Sequence, residues 1–564
     1  MELLKVCKVG AILCCLGVAG MGMINSVEAA FVHTGIFFTD EDFVKAKAHI
    51  AKGEQPWTQA WEISKDNLWA NPQYVPHPVA APSRSAKTEQ RVGDAEMFDD
   101  SFAALEHAII YRISNDPIEA ENSRQRAEEI LNAWSDKVNS IVSGGEPQLL
   151  AGLCGYKFAA AADIMRNDTK WVEDGHLAKV QNMLKQYFVP ICQRYLATHF
   201  RADNGPGYPH YYRGNQDLSA IITIMATGIL SDDEALYEEA IYELKRGHHN
   251  GRIDYYIFPT SDPNLAQEEE SGRDQAHGQL GVGLLAAMAQ ASYVQHKADP
   301  EIEDLFEYND RILMKAAEYA AKYNLGYDDL PFTPLYTANN NNYDAKGVRI
   351  EDKISPRFRS EIRPIYDLIW HHYHGVKKLV GDKKGTPLYY TKQALDKSPV
   401  RNHTDHLPFS MVMFTPTAID YTKQAYGVSF VARGDSYKYW TTQQGSDVIK
   451  GIKALSVPKE ATKDEIFYMV YAGNGVYTIK QASSGKYMAT SLPAEALHLQ
   501  AEVDDACKFS IQDVGNGYMS IKSVKTGKFV RCDEEGKMHA DQDILDLKGK
   551  IINRFRLITQ LELK

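Results

Sequence analysis

Three polar segments of the chain carry side chains suited to acid–base chemistry on a sugar. The first runs from His210 to Asp217, the second from Glu268 to His277, and the third from Arg357 to His374. They concentrate Asn, Arg, His and Tyr in a way that a packed helix face does not. We therefore expect the three segments to line a common cleft.

These residue types match the needs of β-elimination at a uronic acid. The C5 proton becomes acidic only if the neighbouring carboxylate is neutralised, a base must take that proton, and an acid must protonate the leaving O4. Asn215 is the first choice as neutraliser, Arg273 as its cationic partner and His277 as the base. Three tyrosines compete as the acid, because a phenol hydroxyl can donate and accept a proton: Tyr212, Tyr323 and Tyr366.

Further residues of the same segments, together with one histidine downstream, are predicted to bind substrate: His210, Tyr211, Gln216, Glu270, Gln275, Arg363, His372 and His406. Neither a metal nor a cofactor is predicted. His371, His372 and His374 are spaced so that they point to different sides of a helix, and no HExxH spacing accompanies them.

Each assignment has a structural alternative. Asn215 could cap the helix that starts near Asp217. Arg273, Asp274 and Glu270 could form a structural ion-pair group, and His277 could be a core histidine. Within the acidic stretch from Gln267 to Glu270, Glu268 and Glu269 have no predicted role beyond solvation.

The elements that must position these residues are mostly helices. Between about residues 39 and 417, apolar residues recur at three- and four-residue spacing over consecutive stretches. Asp116 before Pro117, and Asp233 before Glu234, are typical helix starts. Many amphipathic helices with almost no strand pattern predict an all-α (α/α) toroid with a central cleft.

The pattern changes near Asp420 to short alternating strands. The stretch 473–488, which begins Gly-Asn-Gly, returns as 515–530, and a weaker copy precedes them. Each copy ends on a Phe-centred strand: Phe467, Phe509 and Phe555. Three copies predict an all-β β-trefoil similar to the ricin-type and fascin-like modules. Such modules bind glycans or only pack against a neighbouring domain, and both readings stay open.

Bulk properties limit the partners. Residues 1–29 have the layout of a cleaved secretory signal peptide, which predicts a secreted or periplasmic protein. The net charge of −12 argues against nucleic acid but allows an anionic polysaccharide in a basic cleft. No later stretch is long and apolar enough to predict a membrane span, and the oligomeric state stays open. Four later cysteines could form the pairs Cys154–Cys192 and Cys507–Cys532 or be buried free thiols.

The ordered motifs of the helical part resemble the alginate-lyase-like superfamily, and most closely polysaccharide lyase family 38. The resemblance rests on His33-Thr34-Gly35, Gly214-Asn215, the stretch from Glu270 to Gln275 with His277, Arg363-Pro364-Ile365-Tyr366 and Asp405-His406. It implies a lyase domain over residues 30–418 and alginate or glucuronan as substrate, while the repeat predicts the trefoil over residues 425–564. One departure is Gln216, where the family usually has Trp.

Two other functions compete. An α/α-toroid glycoside hydrolase would use two carboxylates, for example Glu270 and Asp274, one of them protonated. Their single-turn separation weakens this alternative, since a hydrolase needs them on opposite sides of the scissile bond. A non-catalytic glycan-binding protein of an uptake system would use the trefoil and an inactive cleft.

Overall fold

A computed structural model describes most of the chain beyond the predicted signal peptide. The described residues are 30–85, 90–143, 145–198, 213–337, 349–400, 402–418, 424–432, 438–443, 445–455, 460–515, 517–545 and 553–560. The signal peptide prediction and the candidates His210, Tyr211 and Tyr212 lie outside them. The described part divides into an N-terminal helical region and a C-terminal all-β region.

The helices of the described part have these bounds: α1 Asp40–Ala51, α2 Trp57–Ser64, α3 Asp94–Ile113, α4 Pro117–Lys137, α5 Pro147–Met165, α6 Thr169–Glu173, α7 His176–Met183, α8 Val189–Thr198, α9 Gly214–Leu230, α10 Glu234–Arg246, α11 Ile253–Tyr256, α12 Gln275–Ala298, α13 Tyr308–Asn324, α14 Tyr366–Trp370, α15 Tyr389–Lys397 and α16 Ser410–Phe414. Two π-helical turns, Leu184–Phe188 and His371–Val376, follow α7 and α14 directly.

Two helix starts predicted from the sequence are confirmed. Asp116 is the N-cap of α4 and accepts hydrogen bonds from the backbone N–H groups of Ile118 and Glu119. Asp233 caps α10 and accepts from Leu236. A carboxylate satisfies first-turn N–H groups that have no partner within the helix, which explains both starts.

The long helices pack in a regular succession. Helix α3 packs against α5, α5 against α9, α9 against α12, α12 against α14, and α14 against α16, while α1 contacts both α16 and α3. Almost every residue of α5, α9 and α12 is buried. A helix that is apolar on all sides belongs in the interior, so these three form the centre of the helical region.

Short strands accompany the helices: β1 Ser83–Arg84, β2 Val142–Ser143, β3 Ile257–Pro259, β4 Ala266–Glu268, β5 Leu335–Thr337 and β6 Arg349–Glu351. They form three two-stranded sheets that the sequence pattern did not indicate. Strand β4 matters most here, because the turn after it leads directly into α12.

The C-terminal strands are β7 Ala425–Ala432, β8 Lys438–Thr442, β9 Ile449–Ala454, β10 Phe467–Gly473, β11 Val476–Gln481, β12 Tyr487–Ala489, β13 His498–Gln500, β14 Lys508–Asp513, β15 Met519–Ser523, β16 Phe529–Cys532, β17 Met538–Gln542 and β18 Phe555–Thr559. Antiparallel pairing closes β7, β10, β11, β14, β15 and β18 into a ring. The other strands form three hairpins, β8–β9, β12–β13 and β16–β17. The repeated phenylalanines Phe467, Phe509 and Phe555 are fully buried in this barrel.

The disulfide pairs considered from the sequence are wrong, and the alternative of buried free thiols is confirmed. Cys154, Cys192, Cys507 and Cys532 are all buried and unbonded to one another. Burial raises the pKa of the Cys154 thiol to about 12. None of the helices in the described part is long and apolar enough to cross a membrane.

Candidate active site

The first turns of α9 and α12 meet at the turn that follows β4. The carboxylate of Glu269 accepts the backbone N–H of Gly214 at 3.1 Å, and that of Glu270 accepts the N–H of Asn215 at 3.2 Å. The first N–H groups of a helix lack partners and carry partial positive charge, so two carboxylates are favourable there. The acidic turn is thus tied to the start of α9.

Asn215, Glu270, Arg273, Asp274 and His277 form a polar cluster at this turn, and Glu270 lies at its centre. Its two carboxylate oxygens each lie 2.6 Å from Asn215 Nδ2, and one lies 2.7 Å from Arg273 Nη1. Burial of Glu270 works to raise its pKa, but the charges of Arg273, His277 and Arg213 and the Asn215 hydrogen bond together bring the pKa below its ordinary value. Glu270 is therefore an ionised carboxylate that orients an amide and a guanidinium.

His277 stands at the open side of this cluster. Its side chain is 35% exposed and that of Arg273 is 22% exposed, whereas Glu270 is fully buried. His277 Nδ1 lies 2.8 Å from the carboxylate of Asp274, which also caps α12 by accepting the His277 backbone N–H. Burial works to raise the pKa of Asp274, but the hydrogen bonds from His277 and the charges of His277 and Arg273 outweigh it, so the pKa lies well below its usual value.

These contacts determine the tautomer of His277. An ionised Asp274 accepts a proton donor, so the neutral ring carries its hydrogen on Nδ1. Nε2 then presents a lone pair, which lies 3.2 Å from Arg273 Nη2. The arrangement holds a basic nitrogen and a guanidinium side by side, at the half-exposed end of the cluster.

A second layer of charges supports the first. Arg213 is buried and lies 2.7 Å from the Glu351 carboxylate and 3.5 Å from that of Glu269. Glu268 is buried beside α12 and accepts the backbone N–H of Glu270 at 2.7 Å. Burial raises the pKa of Glu268 and of Glu269, and the neighbouring carboxylate of Glu270 adds to both effects. The expectation that Glu268 and Glu269 are solvated is wrong, because both are buried and accept backbone N–H groups.

Tyr256 contacts Glu270 from the interior of the protein, and the sequence analysis did not predict this contact. Its hydroxyl is 3.4 Å from the Glu270 carboxylate, and its ring fits between Gly214 of α9 and Gly281 of α12. A methyl group at either glycine would overlap the tyrosine. The signal available in the sequence was this pair of glycines at buried helix positions, where a close approach needs the missing side chain.

The structure brings Asn215, Arg273 and His277 together around Glu270. The alternative that Asn215 caps its helix is wrong, since α9 already begins at Gly214 with Arg213 in the cap position, and the Asn215 side chain bonds to Glu270 instead. The predicted ion-pair group of Arg273, Asp274 and Glu270 exists and is the framework of the cluster.

The tyrosines differ in position. Tyr366 is buried, its hydroxyl lies 3.3 Å from Gln279 Oε1, and burial raises its pKa, so its prediction as the acid is corrected to a core residue. The Tyr323 hydroxyl lies 3.4 Å from the carbonyl of Ile354. Tyr212 lies outside the described residues but directly precedes the anchored Arg213.

Two predicted substrate-binding residues are taken up by structural hydrogen bonds. Gln216 accepts hydrogen bonds from Gln148 and Tyr195 at 2.9 Å, which ties α9 to α5 and α8. Gln275 is buried and bonds to Ser271, Ser355 and Asn324, so direct contact with a polymer is corrected to a structural role.

Arg363 and His406 belong to a separate group. Arg363 Nη1 lies 2.9 Å from the Asp405 carboxylate and 3.4 Å from His406 Nε2. His406 packs against Gly283, six residues beyond His277 on α12. The Arg363–His406 pair and the polar cluster around Glu270 therefore contact α12 at positions about six residues apart.

His372 is fully buried, so its predicted contact with substrate is corrected. It stacks on Phe306 with ring centroids 3.7 Å apart and meets the edge of Tyr293. Asp304 and Glu307 lie close enough to share a cation with it. Lys377 Nζ is already 3.0 Å from Asp304 and 3.3 Å from Glu307, so we assign these carboxylates to ion pairs with lysine.

No family model matches the chain, and no curated protein matches it. Among solved structures, the designed threefold-symmetric protein ThreeFoil is 18% identical over 23% of this chain and 97% of its own, with a TM-score of 0.20. An endo-β-galactosidase from Clostridium perfringens that releases GlcNAcα1-4Gal is 14% identical over 24% of this chain and 32% of its own, with a TM-score of 0.20.

A lectin from Polyporus squamosus, solved with a human-type influenza-binding epitope, is 19% identical over 24% of this chain and 50% of its own, with a TM-score of 0.20. This chain thus spans about a third of the galactosidase and half of the lectin. At these TM-scores the likenesses carry no argument about function.

Proposed function

We propose that this protein is a secreted or periplasmic polysaccharide lyase that cleaves a uronic-acid polysaccharide, such as alginate or glucuronan, by β-elimination. The observation that carries the proposal is that Arg273, held by the buried carboxylate of Glu270 together with Asn215, lies 3.2 Å from His277 Nε2. A guanidinium beside an imidazole is what the first half of this reaction needs, because one neutralises the substrate carboxylate and the other takes the proton.

Arg273, whose side chain is 22% exposed, neutralises the substrate carboxylate in this proposal. Asn215 is 2% exposed and its amide lies 2.6 Å from both Glu270 oxygens, so its predicted contact with the substrate is corrected to a positioning role through Glu270. Arg273 keeps several donors beyond the one given to Glu270. Charge-assisted hydrogen bonds from these donors would stabilise the negative charge that develops as C5 loses its proton.

His277 acts as the base. Its Nε2 lone pair faces Arg273 in the free protein. When a uronate carboxylate draws the guanidinium to itself, Nε2 becomes available for the C5 proton. The imidazolium that forms is stabilised by the ionised Asp274, whose hydrogen bond to Nδ1 fixes the orientation of the ring.

Tyr212 or Tyr323 supplies the proton to the departing O4. Tyr366 is 1% exposed, against 6% for Tyr323, and its hydroxyl is bound to Gln279 within the core, so it is not the acid in this proposal. The variants Tyr212→Phe and Tyr323→Phe test the assignment. Loss of the acid would slow cleavage of a substrate with a poor leaving group and leave substrate binding unchanged, whereas loss of the other hydroxyl would not.

We extend the proposal to the architecture. The closed succession of packed helices from α1 through α3, α5, α9, α12, α14 and α16 supports an α/α toroid. The ring of six strands with three hairpins, arranged as three four-strand repeats, supports a β-trefoil in the C-terminal region.

The carboxylate pair considered for the hydrolase alternative, Glu270 and Asp274, does not provide its proton donor. A glycoside hydrolase needs one protonated carboxylic acid. The pKa values of Glu270 and Asp274 both lie below their ordinary values, because neighbouring charges and hydrogen bonds outweigh burial, so neither of the two holds a proton at neutral pH.

The test is incubation with polymannuronate, polyguluronate and glucuronan while ultraviolet absorbance of the conjugated uronate is followed. A rise that disappears in His277→Ala, with an unchanged melting temperature, supports the lyase. New reducing ends without absorbance would identify a hydrolase instead. Binding without either change would identify a non-catalytic glycan-binding protein.

A further inference from the structure

The segment Ser355–Glu361, here called the strap, lies against the turn that carries the proposed catalytic groups. The backbone N–H of Ser355 donates to the carbonyl of Ser271 at 2.9 Å, and Gln275 Nε2 donates to the carbonyl of Ser355 at 3.0 Å. The N–H of Gln275 donates to the carbonyl of Arg357 at 3.0 Å. The backbone of Arg357 is therefore bound to Gln275, which precedes His277 by two residues in α12.

The opposite side of the strap is held by the C-terminal barrel. Arg556 of β18 lies 2.7 Å from the Glu361 carboxylate, and its guanidinium is 4.3 Å from the centre of the Phe358 ring. The backbone N–H of Thr559 donates to the carbonyl of Ser360 at 2.9 Å. One segment thus connects the barrel to the first turn of α12.

The strap holds a backbone conformation that it would not adopt alone. Phe358 and Ser360 have φ values of 60° and 68°, a left-handed region that is unfavourable for residues other than glycine. Contacts from both regions enforce it. Ser360 donates to Asn324 Oδ1 at 3.2 Å, and Arg359 donates to the carbonyl of Tyr323 at 2.9 Å.

Arg357 differs from the other arginines around it. Arg359 pairs with Asp328, Arg363 with Asp405, and Arg556 with Glu361. Within the described residues, no carboxylate pairs with Arg357, which is exposed and stacks on Phe358 at 4.6 Å. Phe358 is thus contacted by two guanidinium groups, one from each region. Arg357 is thus a positioned cation that has no counter-charge in the described part of the chain.

We propose that Arg357 binds the carboxylate of the sugar next to the one being cleaved, and that the C-terminal barrel positions it through Arg556 and Phe358. The proposal rests on the lyase function, because it assigns a neighbouring subsite to the same polyuronate. A planar guanidinium binds a carboxylate through two parallel hydrogen bonds, and stacking on an aromatic ring fixes its plane. The barrel is then part of the substrate-binding unit.

The experiment compares Arg357→Gln and Arg357→Lys with Lys137→Gln, which removes an exposed cation at the end of the outer helix α4. Binding of a saturated oligomannuronate is measured by calorimetry, and KM and kcat are measured on polymannuronate. We expect Arg357→Gln to weaken binding and raise KM about tenfold, which is the scale of one charge-assisted contact, with kcat nearly unchanged. Arg357→Lys should recover part of the loss, and Lys137→Gln should behave as the wild type.

Arg556→Leu tests the role of the barrel. If Arg556 acts through Arg357, its variant raises KM, and the double variant with Arg357→Gln is no worse than Arg357→Gln alone. Additive losses would overturn the positioning role, because they would show independent effects. The Arg556→Lys variant, which keeps the charge, provides a second measurement if Arg556→Leu does not fold.

The outcomes separate this inference from the function. Cleavage with an unchanged KM in Arg357→Gln overturns the inference and leaves the lyase standing. Oligomannuronate binding that depends on Arg357, without ultraviolet absorbance on polymer, keeps the subsite and removes the lyase. Failure of the wild type to bind oligomannuronate and to cleave polymannuronate overturns the subsite.

Discussion

The amide nitrogen of Asn215 lies 2.6 Å from both carboxylate oxygens of Glu270, and both residues are buried at the meeting of α9 and α12. The contact fixes the amide, since a carboxylate at this distance accepts only from nitrogen. It also joins two segments that are 55 residues apart. The orientation of the Asn215 amide therefore depends on Glu270, which is itself fully buried.

Asn215→Asp should destabilise the protein more than Asn215→Ala. The aspartate would place a second carboxylate against Glu270 in a buried site, and an uncompensated buried charge costs about 3–5 kcal/mol. The alanine loses only a hydrogen bond and leaves Glu270 paired with Arg273, which costs about 1–3 kcal/mol. Thermal unfolding near pH 8 measures both, and equal melting temperatures would contradict the ionised state of Glu270.

Asp274→Asn should separate catalysis from stability. Asparagine still caps α12, because its side-chain oxygen accepts the His277 N–H. Its amide would instead donate to His277 Nδ1, which moves the ring hydrogen to Nε2 and removes the basic lone pair. We expect kcat to fall by roughly 10²–10⁴, the scale seen when a histidine loses its orienting carboxylate.

The control for that variant is Asp116→Asn, which changes the cap of α4 in the same way. Both variants should melt close to the wild type, and only Asp274→Asn should lose activity in the ultraviolet assay. Full activity in Asp274→Asn would exclude His277 as the base in the tautomer described.

Gly281→Ala should destabilise the protein although alanine favours helices. The added methyl would overlap the Tyr256 hydroxyl and ring, and overpacking of a core costs about 1–3 kcal/mol. Because Tyr256 contacts Glu270, activity should fall as well. Chemical denaturation and the ultraviolet assay test this. Tyr256→Phe, which removes only the hydroxyl, should have the smaller effect, and a more stable Gly281→Ala would contradict the packing.

Glu318 should make stability depend on pH. Burial raises the pKa of its carboxyl to about 7, although the backbone N–H groups of Tyr390 and Thr391 donate to it. The native state then binds more protons than the unfolded state between the ordinary carboxyl pKa of 4.5 and the raised pKa of about 7. This contribution to stability is complete below the lower value and is lost as pH rises through the window.

Glu318→Gln removes the titrating group, so the stability of this variant relative to the wild type should increase with pH. The change between about pH 4.5 and about pH 8 should reach up to about 3 kcal/mol in the unfolding free energy. Denaturant unfolding of both proteins at the two pH values measures it. A constant difference would show that Glu318 is ionised in the native state at both.

The amino-acid sequence by itself determined the local structure. Periodic apolar residues placed the long helices, and Asp116 and Asp233 marked two of their starts. The threefold repeat with its phenylalanines anticipated the β strands. These features follow from interactions within a few residues, which a pattern contains directly. Residue chemistry also singled out Asn215, Arg273 and His277.

Only the tertiary structure decided which polar residues meet and which are buried. Arg213 pairs with Glu351, which lies 138 residues away in the sequence. Glu269 and Glu270 are buried because the first N–H groups of α9 donate hydrogen bonds to their carboxylates. Tyr366 and His372 have the same residue types as catalytic groups, yet packing puts both in the core. The physical reason is that burial and ion pairing depend on which distant helices and strands pack together, and no local period of the sequence encodes that.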